Sequence, residues 1–281
     1  MRRTQKLLIL SIGISVLTLT ALIYFTTKEG IIKSFKQIKT FYLLIALGFH
    51  FVGWIFWGAR TRLLAEASGL SISFKKSTEI VLSSTFMAAI TPSYAGGEPS
   101  RIYLLGKEEE GSAGGASAIV LGERALDVVF LVFAGTLSLF VLSRKIRGMV
   151  NVKILLLFAA ILMVIIGLLL FLSLFKLKRI EKFISLIESP IEKVRPGTIN
   201  IIYEELDSFH EGLWMFIRQG KYKLFIAFIL TILQWTLEFS IPYVLLRGLG
   251  AEVSFLPAWA SYALVLLIVM IPLTPGGSGM A

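Results

Sequence analysis

The chain contains no cysteine and only two histidines, His50 and His210, among its 281 residues. Disulfides, thiolate metal sites and cysteine nucleophiles are therefore excluded. The two histidines are too far apart to form a zinc-binding spacing, and His50 is read as packing or hydrogen-bonding inside an apolar segment. Charge is scarce as well: Asp, Glu, Lys and Arg make up 16% of the residues, against about 25% in soluble domains. The glycine-rich stretches lack the Lys-Ser/Thr of a Walker loop, so they hold no nucleotide. No serine has the sequence context of a known triad, and no carboxylate pair is placed astride a scissile bond. The expectation is a protein without enzymatic activity, catalytic residue, metal or cofactor.

What the chain has in abundance is apolar sequence, 56% of the total, with a mean hydropathy of +0.81. It is read as an integral membrane protein. A formal net charge of +10 would suit nucleic acid in a soluble domain, but nothing resembles a nucleic-acid-binding module. Here the cations lie mainly in loops, where they set orientation and meet anionic lipid headgroups.

A spanning helix needs about 20 apolar residues. Residues 7–25, 41–57, 116–142, 152–174, 224–246 and 256–273 approach or meet that length. The first follows Arg2, Arg3 and Lys6 but is long for a signal peptide and lacks a convincing cleavage site, so it is read as a retained span. Trp54, Trp57 and Tyr42 suit the interfaces. Residues 58–73, with Arg60 and Arg62, read as a short polar connection. Residues 176–223 carry Ile180, Phe183, Ile184 and Ile187 at helical spacing among lysines and glutamates, and are expected on the inner membrane surface. With the N-terminus inside, inner segments hold roughly twice the Lys and Arg of outer ones.

Residues 78–90 are apolar but too short to cross. They end in Thr91-Pro92-Ser93-Tyr94-Ala95-Gly96-Gly97-Glu98-Pro99-Ser100-Arg101. Two prolines and a Gly-Gly pair cannot continue a regular helix. At membrane depth such backbone is tolerated only inside protein or along a wet cavity. Residues 102–105 resume briefly, which describes a re-entrant hairpin whose outgoing arm starts near Pro99. The pattern returns at Pro272-Leu273-Thr274-Pro275-Gly276-Gly277-Ser278-Gly279. Two broken segments in oppositely oriented halves point to an inverted repeat with a midplane site. The alternative is that Pro and Gly merely end two helices. The expected fold is an all-α polytopic membrane protein with about five full spans and two broken segments. It forms one domain over residues 1–281, with halves 1–142 (break 91–101) and 143–281 (break 272–279).

Three sets of charges lie in or beside the spans. Arg101 and the start of the outgoing half-helix can hold a phosphate or another anion, or Arg101 can simply pair with Glu98. Glu123, Arg124 and Asp127 share adjoining faces of one helix, either as a functional site or as an ion cluster tying that helix to the hairpin. Glu238, between Gln234 and Pro242, suits a proton or cation relay, or hydrogen-bonds the second break. Trp235 reads as lipid-facing or packing.

The first break, Glu123-Arg124-Ala125-Leu126-Asp127 and Thr274-Pro275-Gly276-Gly277-Ser278-Gly279 together resemble the lysylphosphatidylglycerol synthase transmembrane (flippase-like, UPF0104) family, over nearly the whole chain. The resemblance implies a flippase-type helical domain in the cytoplasmic membrane, moving aminoacylated phospholipids, other anionic lipids or polyprenyl-linked glycans between leaflets. Nothing here corresponds to the soluble synthase domain of bifunctional members, so that activity is not carried over. In the family the second motif is usually followed by an acidic residue and more helix. Here Met280 and Ala281 follow, and the expectation is a chain cut short after Gly279.

The substrate-binding candidates are therefore Thr91, Pro92, Gly96, Gly97, Glu98, Arg101, Glu123, Arg124, Asp127, Glu238, Thr274, Pro275, Gly276 and Gly277. The expected partners are membrane lipids with anionic headgroups, and a homo-oligomer is compatible with the sequence. The other functions weighed are an ion-coupled transporter of a small solute and a non-transporting scaffold in envelope-lipid synthesis.

Overall fold

In hydrocarbon, a chain satisfies its own backbone as a helix or a closed barrel, and the long apolar runs of this sequence take the first course. The structure, a computed structural model, describes residues 37–91, 96–109, 111–142, 198–218 and 220–269. Among these residues the regular elements are all α-helices. They are α1 (Thr40–Ala67), α2 (Phe74–Ile90), α3 (Gly97–Gly106), α4 (Ala113–Leu142), α5 (Thr198–Arg218), α6 (Lys221–Gly248) and α7 (Phe255–Val269).

Three of them are long and apolar enough to cross a membrane: α1 and α6 with 28 residues each and α4 with 30, at mean hydropathies of 1.7, 1.8 and 2.4. At about 1.5 Å per residue each exceeds the roughly 30 Å hydrocarbon core. The protein is a polytopic helical membrane protein. The expected spans at 7–25 and 152–174, the surface residues 176–197, Pro92 and the whole second break, with Thr274, Pro275, Gly276 and Gly277, lie outside the described residues.

Helix ends follow local chemistry. Ser73 Oγ accepts from the Lys76 backbone N–H at 3.2 Å and caps α2, which starts four residues before the apolar run at residue 78. Thr91 ends α2 in an extended conformation, φ −107° and ψ 143°, as a residue before proline must. The outgoing arm α3 begins at Gly97, two residues ahead of the Pro99 start read from sequence. Pro99 still falls within the first turn, where its missing donor costs nothing.

The largest departure from the sequence reading concerns residues 58–73. There is no connection at Gly58: α1 runs on to Ala67, and Arg60 is inside the packed bundle at 0% exposure. Arg62, two residues on, behaves as read and pairs at the surface with Glu66 at 2.7 Å.

Helix α1 lies along α6, while α4 packs on α5 at one end and α7 at the other, and the α2–α3 hairpin is set between α1 and α4. Two apolar clusters result. One joins Leu64, Ile80, Leu105, Ile119, Leu213 and Phe216; the other joins Phe130, Leu131, Phe239, Trp259 and Ala263. Helix α5 covers α4 through buried Leu213 and Phe216 and through Glu205, which accepts from the Gly114 N–H at 2.6 Å. The part of residues 176–223 that is described packs on the bundle. Large side chains such as Phe51, Phe133, Phe140 and Phe225 face outward, as expected where lipid, not water, is the solvent. Between the two clusters, at mid-length of α4, is a polar patch.

Candidate functional site

The break itself is closed by one hydroxyl. Thr91 Oγ1 donates to the Met87 carbonyl at 2.8 Å and accepts from the Gly96 N–H at 2.9 Å. It therefore serves a carbonyl freed at the end of α2 and an N–H on the far side of the gap, as irregular backbone at membrane depth requires. The two glycines are needed for proximity. A Cβ on Gly96 would stand 2.6 Å from Thr91 Cγ2, and one on Gly97 would stand 2.9 Å from Ala88 Cβ. The hairpin arms meet at these points.

From α3, Arg101 reaches into the bundle and is 1% exposed. Its Nη1 donates to Glu123 Oε2 on α4 at 2.5 Å. Glu123, at 0% exposure, also accepts from Thr61 Oγ1 and from Trp57 Nε1 at 3.4 Å. One turn along α4, Asp127 accepts from Arg60 Nη1 at 2.5 Å, from Trp235 Nε1 at 2.8 Å and from Arg124 Nη1 at 3.1 Å. Arg60 Nη1 also donates to Thr231 Oγ1 on α6 at 3.1 Å. Arg124 Nε then donates to Glu98 Oε1 at 2.5 Å, at the edge of the patch. Three arginines and three carboxylates from α1, α3 and α4 thus neutralise one another, with α6 supplying neutral partners.

Burying such charges carries several kcal/mol of desolvation per ion unless each is paired and hydrogen-bonded. The carboxylates meet that condition. The arginines do not: Arg60 Nε and Nη2 and Arg101 Nε are buried with no hydrogen-bond partner among the described residues, as is Gln234 Oε1. Both guanidinium groups approach the Trp57 ring, Arg101 at 5.0 Å and Arg60 at 5.9 Å from its centroid, which offsets part of their lost hydration.

Of the residues proposed from sequence, Thr91, Gly96, Gly97, Glu98, Arg101, Glu123, Arg124 and Asp127 come together here. Arg101 does not pair with Glu98, one of the two alternatives open from sequence: Glu98 turns outward to Arg124 and Glu123 takes its place. Glu238 is elsewhere, on α6, where its Oε1 meets His50 Nδ1 of α1 at 2.8 Å. That pair is partly open, with side chains 43% and 23% exposed for His50 and Glu238. Pro242 has no N–H to bond the Glu238 carbonyl one turn back, so the helix is loosened at that residue.

Thr61 and Thr231 of the patch carried no signal, and three larger members were read otherwise. Arg60 looked like a loop charge, Trp57 like an interface anchor and Trp235 like a lipid-facing or packing residue; Trp235 does pack against the second apolar cluster, with its N–H on Asp127. A signal for the first existed: Arg60 lies one turn after Trp57 and just before Leu63-Leu64, and the lone Gly58 between them, with no Pro beside it, does not by itself end a helix.

Comparison with known proteins agrees with this architecture. The family model described as the lysylphosphatidylglycerol synthase TM region matches residues 8–281. A UPF0104 membrane protein of Archaeoglobus fulgidus is 31% identical over 96% of this chain and 83% of its own length. UPF0104 membrane proteins of Methanothermobacter thermautotrophicus and Methanocaldococcus jannaschii are 27% and 26% identical, each over 95% of this chain and 80% of their own lengths. No solved structure matches. With its paired carboxylates on α4 facing a broken hairpin, the chain belongs to the lysylphosphatidylglycerol synthase transmembrane-region family.

Proposed function

We propose that this membrane protein is a flippase-type transporter and not an enzyme. It moves an anionic or aminoacylated lipid, or a polyprenyl-linked headgroup, between the leaflets of the cytoplasmic membrane, with its N-terminus on the cytoplasmic side. The observation that carries the reading is the position of Arg101, on the outgoing arm of a broken helix, buried against Glu123 in the interior of a spanning helix. Intramembrane charges beside a helix break mark substrate pathways. A headgroup phosphate is an alternative partner for the same guanidinium, and Glu123 holds that charge while no substrate is bound. Glu98 and Arg124, 51% and 36% exposed, form the outer link of the same hairpin.

The test is leaflet exchange of a fluorescent phosphatidylglycerol in vesicles containing the purified protein. The Arg101→Gln/Glu123→Gln variant removes both charges and leaves neither carboxylate nor guanidinium unpaired. It is expected to fold and to slow exchange at least tenfold. Exchange at the wild-type rate would remove Arg101 from the transport path.

The His50–Glu238 pair favours a second reading, an ion-coupled transporter of a small solute, because a partly open imidazole–carboxylate pair on two spans can take up and release a proton. Substrate-dependent proton uptake without lipid movement would select it.

A further inference from the structure

Arg60 is the largest fully buried polar side chain that the sequence reading left without a role, at 0% exposure. Both of its hydrogen bonds to Asp127 and Thr231 leave from one nitrogen, Nη1. The two nitrogens without a partner among the described residues are Nε and Nη2. They make up the side edge of the guanidinium, whose parallel N–H groups match two oxygens of a carboxylate or phosphate. A brace between α1, α4 and α6 would need only the Nη1 contacts, and such a brace gives no reason to bury an empty fork. Asp127 fixes the group from the other side and is itself held by Trp235 at 2.8 Å and Arg124 at 3.1 Å, so the fork is preorganised. Arg101 Nε likewise has no partner among the described residues, and Trp57 lies against both guanidinium groups. Gln234, one turn along α6 from Thr231 and so on an adjoining face, buries an acceptor oxygen with no donor. Among the described residues, unmet donors on two arginines and an unmet acceptor one turn from the Thr231 that Arg60 bonds describe the complement of a ligand with both kinds of group.

We propose that Arg60 is a second anion-binding arginine of this site. Its Nε–Nη2 edge takes two oxygens of a phosphate mono- or diester, while Gln234 accepts a hydrogen bond from a hydroxyl or ammonium group on the same ligand. Identifying the ligand as a lipid headgroup rests on the transport reading; the oxyanion site itself does not. Arg60 is covered, so the ligand enters as the helices around it repack, a step that alternating access already includes.

Equilibrium binding, with no leaflet exchange involved, tests the site. The full chain is placed in phosphatidylcholine nanodiscs and titrated in one arm with radiolabelled phosphatidylglycerol, and in another with inorganic phosphate. Arg60→Lys keeps the positive charge beside Asp127 but removes the fork. The variant is expected to unfold close to the wild-type temperature and to bind at least tenfold more weakly. Weakening in the lipid arm makes the source a headgroup, and weakening in the phosphate arm alone makes it a soluble phosphate compound. Unchanged affinity in both arms, or no binding by the wild-type protein in either, overturns the proposal. If Arg60→Lys does not fold, Arg60→Gln/Asp127→Asn removes the pair without leaving a buried charge, and wild-type affinity in that variant overturns the proposal equally. Fork-dependent binding by a protein that exchanges no lipid would keep the site and remove the transport reading.

Discussion

The charged patch on α4 and the His50–Glu238 pair between α1 and α6 are built on opposite plans. The patch on α4 is closed: Arg60, Arg101, Glu123 and Asp127 are each at most 1% exposed, and Glu123 and Asp127 each accept from three donors. The His50–Glu238 pair is open and simple, one contact of 2.8 Å between side chains 43% and 23% exposed. A closed, neutralised network resists the entry of a lone ion but can exchange one anionic partner for another of like geometry. An open pair can gain or lose a proton without any repacking. Under the proposed function, headgroup recognition belongs to the first and, at most, proton handling to the second.

Breaking the closed patch should have the largest effect. Glu123→Ala leaves Arg101 buried without its carboxylate and removes the acceptor for Thr61 and Trp57. A loss of about 3–5 kcal/mol is expected, read as a collapse of the unfolding temperature in detergent. A shift of only a degree or two would mean that water reaches Arg101. Gly97→Ala comes next, because its Cβ would lie 2.9 Å from Ala88 Cβ and push the hairpin arms apart. It should cost about 1–3 kcal/mol and slow transport by more than its stability loss explains. Glu238→Gln removes a partly exposed ion pair yet keeps an acceptor for His50, so about 1 kcal/mol or less is expected. A larger loss, in the same thermal assay, would show that the open pair is as enclosed as the patch. The smallest effect belongs to the outer link. A double-mutant cycle on Glu98 and Arg124 should give a coupling of about 0.2–1 kcal/mol, falling with salt.

The same contrast explains what could be read from sequence. The break was legible because Thr-Pro and Gly-Gly have backbone consequences wherever they occur, and Thr91 and Gly96 perform the local repair that those consequences demand. The i,i+4 spacing of Glu123 and Asp127 showed that they share a face. Their partners were not legible. Arg60 and Arg62 are two residues apart with identical side chains, yet one is buried against Asp127, 67 residues away, and the other meets solvent beside Glu66. Only tertiary packing separates them. The carboxylate partners of Trp57 and Trp235 were hidden for the same reason: an indole N–H at an interface and one aimed at a buried carboxylate look alike in a sequence. Glu98 and Arg101, three residues apart, invited a local pair. In the fold they diverge to different partners on α4, because Arg101 points into the bundle and Glu98 points to its edge.

The most direct test compares leaflet exchange of fluorescent phosphatidylglycerol by two charge-neutral double variants in the same vesicles. One is Arg101→Gln/Glu123→Gln, within the closed patch; the other is His50→Gln/Glu238→Gln, at the open pair. The account predicts that the first loses exchange at least tenfold while the second keeps most of it at constant pH. Full exchange by the first and none by the second would contradict it, and would move recognition from the hairpin and α4 to the face shared by α1 and α6.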